Sequence, residues 1–324
     1  MQEILIYILK RILQTIPLLI LVSIMSFFII RLSPVDPLAE LKLNPSISKE
    51  TLQKEAQRMG LNKPIWKQYL LWAKSFVKGD LGVTTTGESV ASKLKERIPN
   101  TLLLTIVVIF MTWTAAIPLG MLAAVKWKTP LDRFLTFLTS IGMAIPSFFF
   151  AILLLIFAVK SGWFPVGGLT SYNFNELGFF HKILDIAHHL VLPVTVLFTI
   201  SLAGLQRQMR ANILDVLDSD YIKFARAKGL SEQKVLFKHA LRNAVNPMIT
   251  LLGFEFSSLL SGAALTEYVF QYPGLGRLIL EAVLKSDINL VMASLMMGAF
   301  MLVAGNLLSD ILLILTDPRI RVRG

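Results

Sequence analysis

One acidic side chain lies inside an otherwise uncharged, apolar stretch of this 324-residue sequence. Glu255 is about halfway along residues 244–266, and Ser257 and Ser258 follow it closely. An ionisable group is costly in hydrocarbon, so Glu255 is expected to face a bundle interior or a water-filled cavity. It would then either line a passage, together with the two serines, or form a structural hydrogen bond to a neighbouring helix. The sequence leaves both interpretations open.

Catalytic and metal-binding patterns are missing from the sequence. There is no cysteine, which excludes disulfides and thiolate chemistry. His188 and His189 would point away from each other on a helix, so with the nearby His181 they do not predict a metal site. There is no Gly-x-x-x-x-Gly-Lys-Ser/Thr phosphate loop, nucleophile elbow or pair of catalytic carboxylates. We therefore expect a chain that is not an enzyme and binds no metal or cofactor.

The elements that position these residues are long apolar segments. Hydrophobic residues make up 54% of the chain and charged residues 16%, whereas soluble domains are about 25% charged. The apolar stretches do not alternate as the strands of a membrane barrel do, and each is near the roughly 20 residues that cross a bilayer as a helix. The predicted fold class is an all-α membrane protein with six transmembrane helices. Its spans are residues 12–30, 101–125, 134–159, 189–206, 244–266 and 288–309.

Basic residues predict the orientation of these spans. The formal net charge is +11. We interpret the excess of basic residues as a signal of how the chain is oriented in the membrane, and not as a sign of a nucleic-acid partner. The positive-inside rule places the following loops, and with them both termini, in the cytoplasm. The bases concerned are Lys10 and Arg11, then Lys126, Lys128 and Arg133, then those of the loop 207–243, and finally Arg319, Arg321 and Arg323.

Two further features of the spans can be predicted. The first apolar run is longer than the apolar core of a secretory signal, so it is expected to be retained as a span. Prolines inside or at the ends of the spans predict bends, because each removes a backbone donor. These are Pro17, Pro118, Pro146, Pro193 and Pro247.

A long segment, residues 31–98, separates the first two spans and is predicted to be external. It includes an amphipathic stretch from Trp66 to Val77, in which Trp66, Tyr69, Leu70 and Ala73 share one helix face. We expect a small ordered cap on the outer face of the bundle. A helix lying on the membrane surface is the alternative.

The loop between the fourth and fifth spans has the pattern of two short helices. Asp218 or Ser219 can cap the first, and Gly229 can supply the left-handed residue that ends it. Ser231 can cap a second helix that leads into the fifth span. Small residues in the first helix, Ala225 and Ala227, would let the surface of another protein approach closely. A solvated connector is the alternative.

This loop resembles the coupling loop of binding-protein-dependent ABC permeases, whose motif is Glu-Ala-Ala-x-x-x-Gly. With Gly229 on the motif glycine, Ala225 falls on the second alanine, while Lys223 and Phe224 replace the motif's first two residues. Residues 225–231, followed by 239–244 and Pro247, are similar in particular to the dipeptide/oligopeptide/nickel permease family, B-type subunit. Further stretches that resemble family landmarks run in order along the chain: 79–82, 98–101, 117–120, 266–277, 306–310 and 317–321.

The resemblance implies a type I ABC importer permease in the cytoplasmic (inner) membrane that carries peptides by alternating access. It implies a homologous second permease as heterodimer partner, two ABC ATPase subunits that use ATP and Mg²⁺, and an external solute-binding protein. Glu255 could then meet a peptide amino group. The residues implied to contact the ATPase are Lys223, Phe224, Ala225, Arg226, Ala227, Lys228, Gly229, Leu230 and Ser231.

The remaining expectations concern the other parts of the chain. An outer loop or gate is expected at Glu267, Pro273, Gly274 and Gly276, and a polar lock to cytoplasmic bases at Asn306 and Asp310. The predicted organisation is a first helix at 1–30, the external segment at 31–98, the permease core at 99–315 and a tail at 316–324. A secondary transporter or channel that needs no ATPase is the competing function.

Overall fold

The computed structural model describes residues 2–32, 38–43, 45 and 47–316, and every regular element in these ranges is a helix. The first half contains α1 (Gln2–Leu32), α2 (Ala39–Leu43), α3 (Lys49–Met59), α4 (Ile65–Val77), α5 (Val90–Val125), α6 (Pro130–Ala144) and α7 (Ser147–Ser161). The second half contains α8 (Phe179–Leu217), α9 (Asp220–Ala227), α10 (Glu232–Lys234), a π-helix (Val235–Ala240), α11 (Leu241–Ala244), α12 (Asn246–Val269), α13 (Leu275–Leu284) and α14 (Ile288–Thr316). The landmark 317–321 and the three arginines of the predicted tail lie outside the described residues.

Four of the described helices are long and apolar enough to cross a membrane. They are Leu9–Leu32 of α1, α5, α8 and Ile288–Leu312 of α14, and the bent pair α6–α7 makes five if it counts as one span. The predicted fifth span falls on α12, a helix of 24 residues. The prediction of an all-helical membrane protein is therefore confirmed, while the number of six spans stays a prediction.

The predicted third span, 134–159, is two helices rather than one. The axes of α6 and α7 meet at 95°, with the break at Ile145 and Pro146. Pro146 has no N–H to continue the ladder of α6, and a residue before proline is driven to an extended backbone. Ile145 is extended accordingly, with φ −87° and ψ 120°. The sequence predicted a bend in one helix at Pro146, whereas the structure has two separate helices that meet there.

The centre of the bundle is the packing of α5 against α8. At 1.5 Å per residue these helices are about 54 and 58 Å long, so both extend beyond about 30 Å of hydrocarbon. Their contact is lined by buried aliphatic side chains, which are Leu104, Val108, Leu190, Val194 and Leu197. The long frame formed by α5 and α8 reaches the loops at both ends of the bundle.

Residues 38–43 and 47–89 form an ordered cap on the ends of α1 and α14, and we call this end of the molecule the cap end. Asn289 of α14 accepts a hydrogen bond from Arg58 Nη2 (2.5 Å) and donates to Glu55 Oε2 (3.1 Å). Asp287 accepts one from the Thr85 N–H (2.7 Å). The opposite end, where α8 passes into α9, is called the elbow end.

Candidate functional site

The elbow end has the local structure that the sequence predicts. Gly229 follows α9 with φ +77°, a left-handed conformation that glycine adopts without steric cost. Ser219 and Ser231 occupy the N-cap positions of α9 and α10. An ion pair clamps the turn, because Arg226 Nε donates to Glu232 Oε1 at 2.8 Å. The elbow is therefore a defined turn rather than a loose connector.

The buried side of α9 attaches the elbow to the rest of the chain. Ile222 is fully buried and, with Ala225, belongs to one apolar cluster that also holds Ile213 of α8 and Ala244 of α11. Ala225 is only 7% exposed. The expectation that Ala225 offers an open surface to another protein is wrong, because this alanine permits close packing within its own chain. Ala227, in contrast, is exposed.

The outer side of α9 carries aromatic side chains. Phe224 is 61% exposed, and Tyr221, one turn earlier, is also exposed. The Lys228 ammonium lies 4.6 Å from the centre of the Phe224 ring. Phe237 of the π-helix is exposed as well. Sequence reasoning missed Tyr221 and Phe237, although aromatic residues in a basic, water-facing loop are themselves a signal of a contact surface.

The predicted second helix is a composite that leads into α12. It consists of α10, the π-helix and α11, with Val245 before α12. Asn212 of α8 donates to the carbonyl of Ala244 at 3.0 Å and accepts from Gln208 at 2.9 Å. The bond to Ala244 holds the end of α11, two residues before α12 begins, against α8. The elbow unit, residues 220–244, is thus joined to both helices.

Glu255 faces other helices within the bundle. Its carboxyl group lies beside Trp113 of α5 and Ser201 of α8. One of its oxygens, Oε2, is buried and has no hydrogen-bond partner among the described residues. Ser258 is exposed, and the side chain of Ser257 lies outside the described residues. A buried carboxylate oxygen that can still accept a hydrogen bond is expected of a group that lines a substrate passage. Contacts of the same carboxyl group with two neighbouring helices are expected of a structural group.

At the cap end, Glu267 is fully buried beneath the start of α13. Its Oε1 accepts from Thr101 Oγ1 at 3.0 Å, and its Oε2 accepts from the Arg277 N–H at 2.9 Å. Thr101 in turn accepts from the N–H of Leu275 at 2.7 Å. A carboxylate at a helix N-terminus satisfies free N–H groups and complements the helix dipole. Glu267 therefore joins α12, α13 and α5.

The loop between α12 and α13 closes over this carboxylate. Tyr272 is buried, its hydroxyl donates to the Asn100 carbonyl at 2.7 Å, and Asn100 donates to the Pro273 carbonyl at 2.8 Å. Burial, reinforced by the nearby Glu267 carboxyl, raises the pKa of Tyr272 above its ordinary value, so the phenol stays a donor. A Cβ at Gly274 would lie 2.3 Å from the Glu267 carboxyl.

The structure therefore brings the four predicted gate residues into one cluster. Gly276 packs closely against α12, because a Cβ added at Gly276 would lie 2.7 Å from the Ala264 backbone.

A polar lock lies at the elbow end. There Asp310 pairs with Arg11 at 2.8 Å, as expected for a lock to the basic residues. Asn306, one turn earlier, packs against Gly253 of α12, where an added Cβ would lie 2.6 Å from its Oδ1.

Comparison with known proteins gives a consistent result over nearly the whole chain. Residues 116–322 match the family described as "Binding-protein-dependent transport system inner membrane component", and residues 4–105 match its N-terminal counterpart. An oligopeptide transport system permease protein, AppB, of Bacillus subtilis is 42% identical over 317 residues, which are 97% of this chain and 98% of that protein.

Two more distant relatives have similar coverage. A di/tripeptide transport system permease protein of Pseudomonas aeruginosa is 35% identical over 97% of this chain and 98% of its own length. A dipeptide transport system permease protein of Alkalihalophilus pseudofirmus is 34% identical over 97% of this chain and 99% of its own. The apolar helices, the elbow and these matches agree, and the chain belongs to the family of inner-membrane permease components of binding-protein-dependent ABC transport systems.

Proposed function

We propose that this chain is one of two permease subunits of a peptide importer whose energy comes from partner ATPases. The observation that carries the proposal is the two-sided construction of α9. Its inner side is buried against α8 and α11, while its outer side presents Tyr221 and Phe224 to the surroundings. Exposed aromatic residues at a water-facing end are typical of a protein contact.

This construction suits the transmission of force. A partner that binds the outer side of α9 and moves it would also move the end of α8 and the start of α12, since close-packed contacts shift as units. The Asn212–Ala244 hydrogen bond adds a polar link to the same unit. Two ATPase subunits that hydrolyse ATP with Mg²⁺ would supply the motion, one on this chain and one on its partner.

The proposed topology has six spans. They are α1, α5, α6–α7 together, α8, α12 and α14, with both termini and the elbow end in the cytoplasm. Loops on that side are rich in lysine and arginine, which supports this orientation. The cap end would then face outward, where a solute-binding protein delivers the substrate.

A homologous second permease is proposed to complete the passage. An apolar groove of about 340 Å³ between α5, α12 and α14 offers a surface for it. The groove is lined by side chains that include Ile106, Phe110, Trp113, Leu252 and Phe256. Trp113 also lies beside Glu255, so this groove borders the carboxyl group inside the bundle.

Peptides are the proposed substrate class. The relatives described above are named for oligopeptides, di- and tripeptides, and dipeptides. Glu255 would meet the amino terminus of the peptide as it passes, because the carboxylate has a buried oxygen free to accept a hydrogen bond. The gate at the cap end would be the cluster of Glu267, Pro273, Gly274 and Gly276.

The test is uptake into proteoliposomes that contain the complete complex. With ATP inside and binding protein outside, labelled peptide should accumulate, and an inactive ATPase partner should abolish accumulation. Crosslinking from Ala227→Cys, an exposed position on α9, should capture an ATPase subunit, and the chain has no native cysteine to compete. Uptake that persists without an ATPase would instead indicate a secondary transporter or channel.

A further inference from the structure

The helix α4 is anchored beside the outer half of α1. The Tyr69 hydroxyl shares a hydrogen bond with the Ser23 hydroxyl at 2.9 Å, and the rings of Tyr69 and Trp72 lie 5.5 and 5.9 Å from the ring of Phe27. Ser23 and Phe27 precede Ile30, where the apolar run of α1 ends, by seven and three residues. At 1.5 Å per residue this is about 5–10 Å, so α4 touches α1 below the end of its apolar run.

A neighbouring side of α4, about a third of a turn from the two contacting aromatic rings, carries an exposed apolar stripe. Trp66, Leu70 and Val77 are all exposed, and they recur at the four- and seven-residue spacing of one helix face. Met25 and Ile29, on the side of α1 that faces away from α4, are exposed at the depth of this contact. The apolar stripe on α4 therefore lies at a depth where the membrane-spanning helix α1 also presents apolar side chains to its surroundings.

Positive charge borders this stripe. Between Glu55 and Asp80 the chain has five basic residues and no acidic residue. Lys67 and Lys74 lie about a quarter of a turn from the stripe and are exposed, and the Lys67 ammonium lies 5.1 Å from the centre of the Trp66 ring. Lysine stems can cover apolar surface while the ammonium reaches an anionic headgroup.

We propose that α4 is a membrane-interface helix that inserts Trp66, Leu70 and Val77 into the outer leaflet while its lysines contact anionic phospholipid headgroups. Tryptophan, leucine and valine beside lysine are the composition of a helix that lies in the interface plane. The cap is then held by two attachments, the aromatic contact with α1 and the lipid surface. A protein partner docking on α4 is disfavoured by the depth of its contact with α1.

The absence of native cysteine permits a direct test of position. Leu70→Cys, 56% exposed, would carry an environment-sensitive fluorophore in the full chain, assembled with its partner subunits in vesicles of phosphatidylcholine and phosphatidylglycerol. Lys54→Cys on α3, whose side chain is 72% exposed, is the matched control on the cap. A spin label on the upper acyl chain should quench the fluorophore at position 70 several-fold more than the one at position 54.

The proposal is overturned if the fluorophore at position 70 is quenched by aqueous iodide as strongly as the control and not by the lipid label. Shielding from both quenchers, or a change when binding protein is added, would assign α4 to a protein partner and overturn it too. Val77→Cys repeats the measurement if Leu70→Cys fails to assemble. Since position and not uptake is measured, the result is independent of the proposed transport function.

The headgroup part of the proposal has its own readout. The emission of the fluorophore at position 70 should shift further to the blue in vesicles with phosphatidylglycerol than in phosphatidylcholine alone. Replacing Lys67 and Lys74 by glutamine should remove that difference while leaving the lipid quenching in place. An emission that is indifferent to phosphatidylglycerol in the parent chain would overturn the contact with anionic headgroups.

Discussion

Arg210 of α8 and Asp132 of α6 meet through two hydrogen bonds, from Nε to Oδ1 at 2.6 Å and from Nη2 to Oδ2 at 2.8 Å. The Asp132 carboxylate also accepts the N–H of Lys128 at 2.9 Å, and its side chain is almost completely buried. The pair fixes the start of α6 to α8 near the elbow. Such two-pronged contacts are stronger and more directional than single ones.

Replacing Arg210 by methionine should destabilise the protein. The change leaves a buried carboxylate without its charged partner, which costs about 1–3 kcal/mol. The double variant Arg210→Met, Asp132→Asn should recover part of that loss, because the buried charge is gone as well. The midpoint of thermal unfolding in detergent measures both effects.

The matched control for this pair is Lys54→Met, which breaks the exposed pair between Lys54 and Glu50. Exposed pairs contribute at most about 1 kcal/mol, so this variant should unfold near the parent temperature. If Arg210→Met were as stable as Lys54→Met, the Arg210–Asp132 pair would not hold α6 to α8.

The exposed aromatic side of α9 predicts how the ATPase subunit binds. Phe224→Ala should weaken its association about tenfold or more, since removing a buried aromatic anchor at an interface costs at least about 1–2 kcal/mol. The stability of the permease itself should not change, because the Phe224 ring is exposed in the isolated chain. Titration of ATPase onto the reconstituted permease gives the affinity.

Phe179→Ala serves as the control for Phe224→Ala. Phe179 is also an exposed phenylalanine, but it begins α8 at the opposite end of that helix from the elbow. Its removal should leave ATPase binding unchanged. Equal affinity of both variants would mean that the outer side of α9 is not the contact surface.

The carboxylate of Glu267 leaves no room for a side chain at Gly274. Gly274→Ala would place a methyl group 2.3 Å from that carboxyl, and overpacking of a close contact costs about 1–3 kcal/mol. The Gly274 backbone is not in the left-handed region, so the cost is purely steric. We expect a lower unfolding temperature and reduced uptake, as the link between α12 and α13 is disturbed.

Gly298→Ala is the contrasting change, because a Cβ at Gly298 of α14 meets no atom within 4 Å. Alanine in a helix interior is favoured over glycine by about 0.5–1 kcal/mol, so this variant should be neutral or slightly stabilised. Equal stability of the two alanine variants would show that the Glu267 cluster tolerates displacement.

The features that could be predicted from the sequence are those that depend on a short window. Long uncharged stretches identify membrane helices because lipid requires every backbone group to be satisfied within the helix. Gly229 could be placed as the end of α9 because a left-handed residue selects glycine locally. The motifs of the elbow and of the Glu267 loop could be recognised in the same way.

Features that depend on tertiary packing could not be predicted. Asp132 and Arg210 are 78 residues apart, and many other charges were equally available as partners. The burial of Ala225 depends on which side of α9 meets α8. The break at Pro146 depends on how α6 and α7 pack, since proline inside a membrane helix is often only a bend.

Glu255 gives the sharpest test of the transport path. Glu255→Gln preserves the volume of the side chain and removes its charge, so the contacts with Trp113 and Ser201 can remain. If the carboxylate meets the peptide amino terminus, uptake of peptides with a free amino group should fall about tenfold, in line with about 1.5 kcal/mol for a lost charged hydrogen bond. Uptake of the same peptides with acetylated amino termini should change much less.

This comparison separates the two interpretations of Glu255. A purely structural carboxylate would lower uptake of both peptide forms equally, along with the unfolding temperature, because the substrate would never touch it. Glu176→Gln, an exposed change in the loop before α8, controls for the loss of one negative charge. Uptake that discriminates between free and blocked amino termini in the parent and in Glu176→Gln, but not in Glu255→Gln, would place this carboxylate on the path.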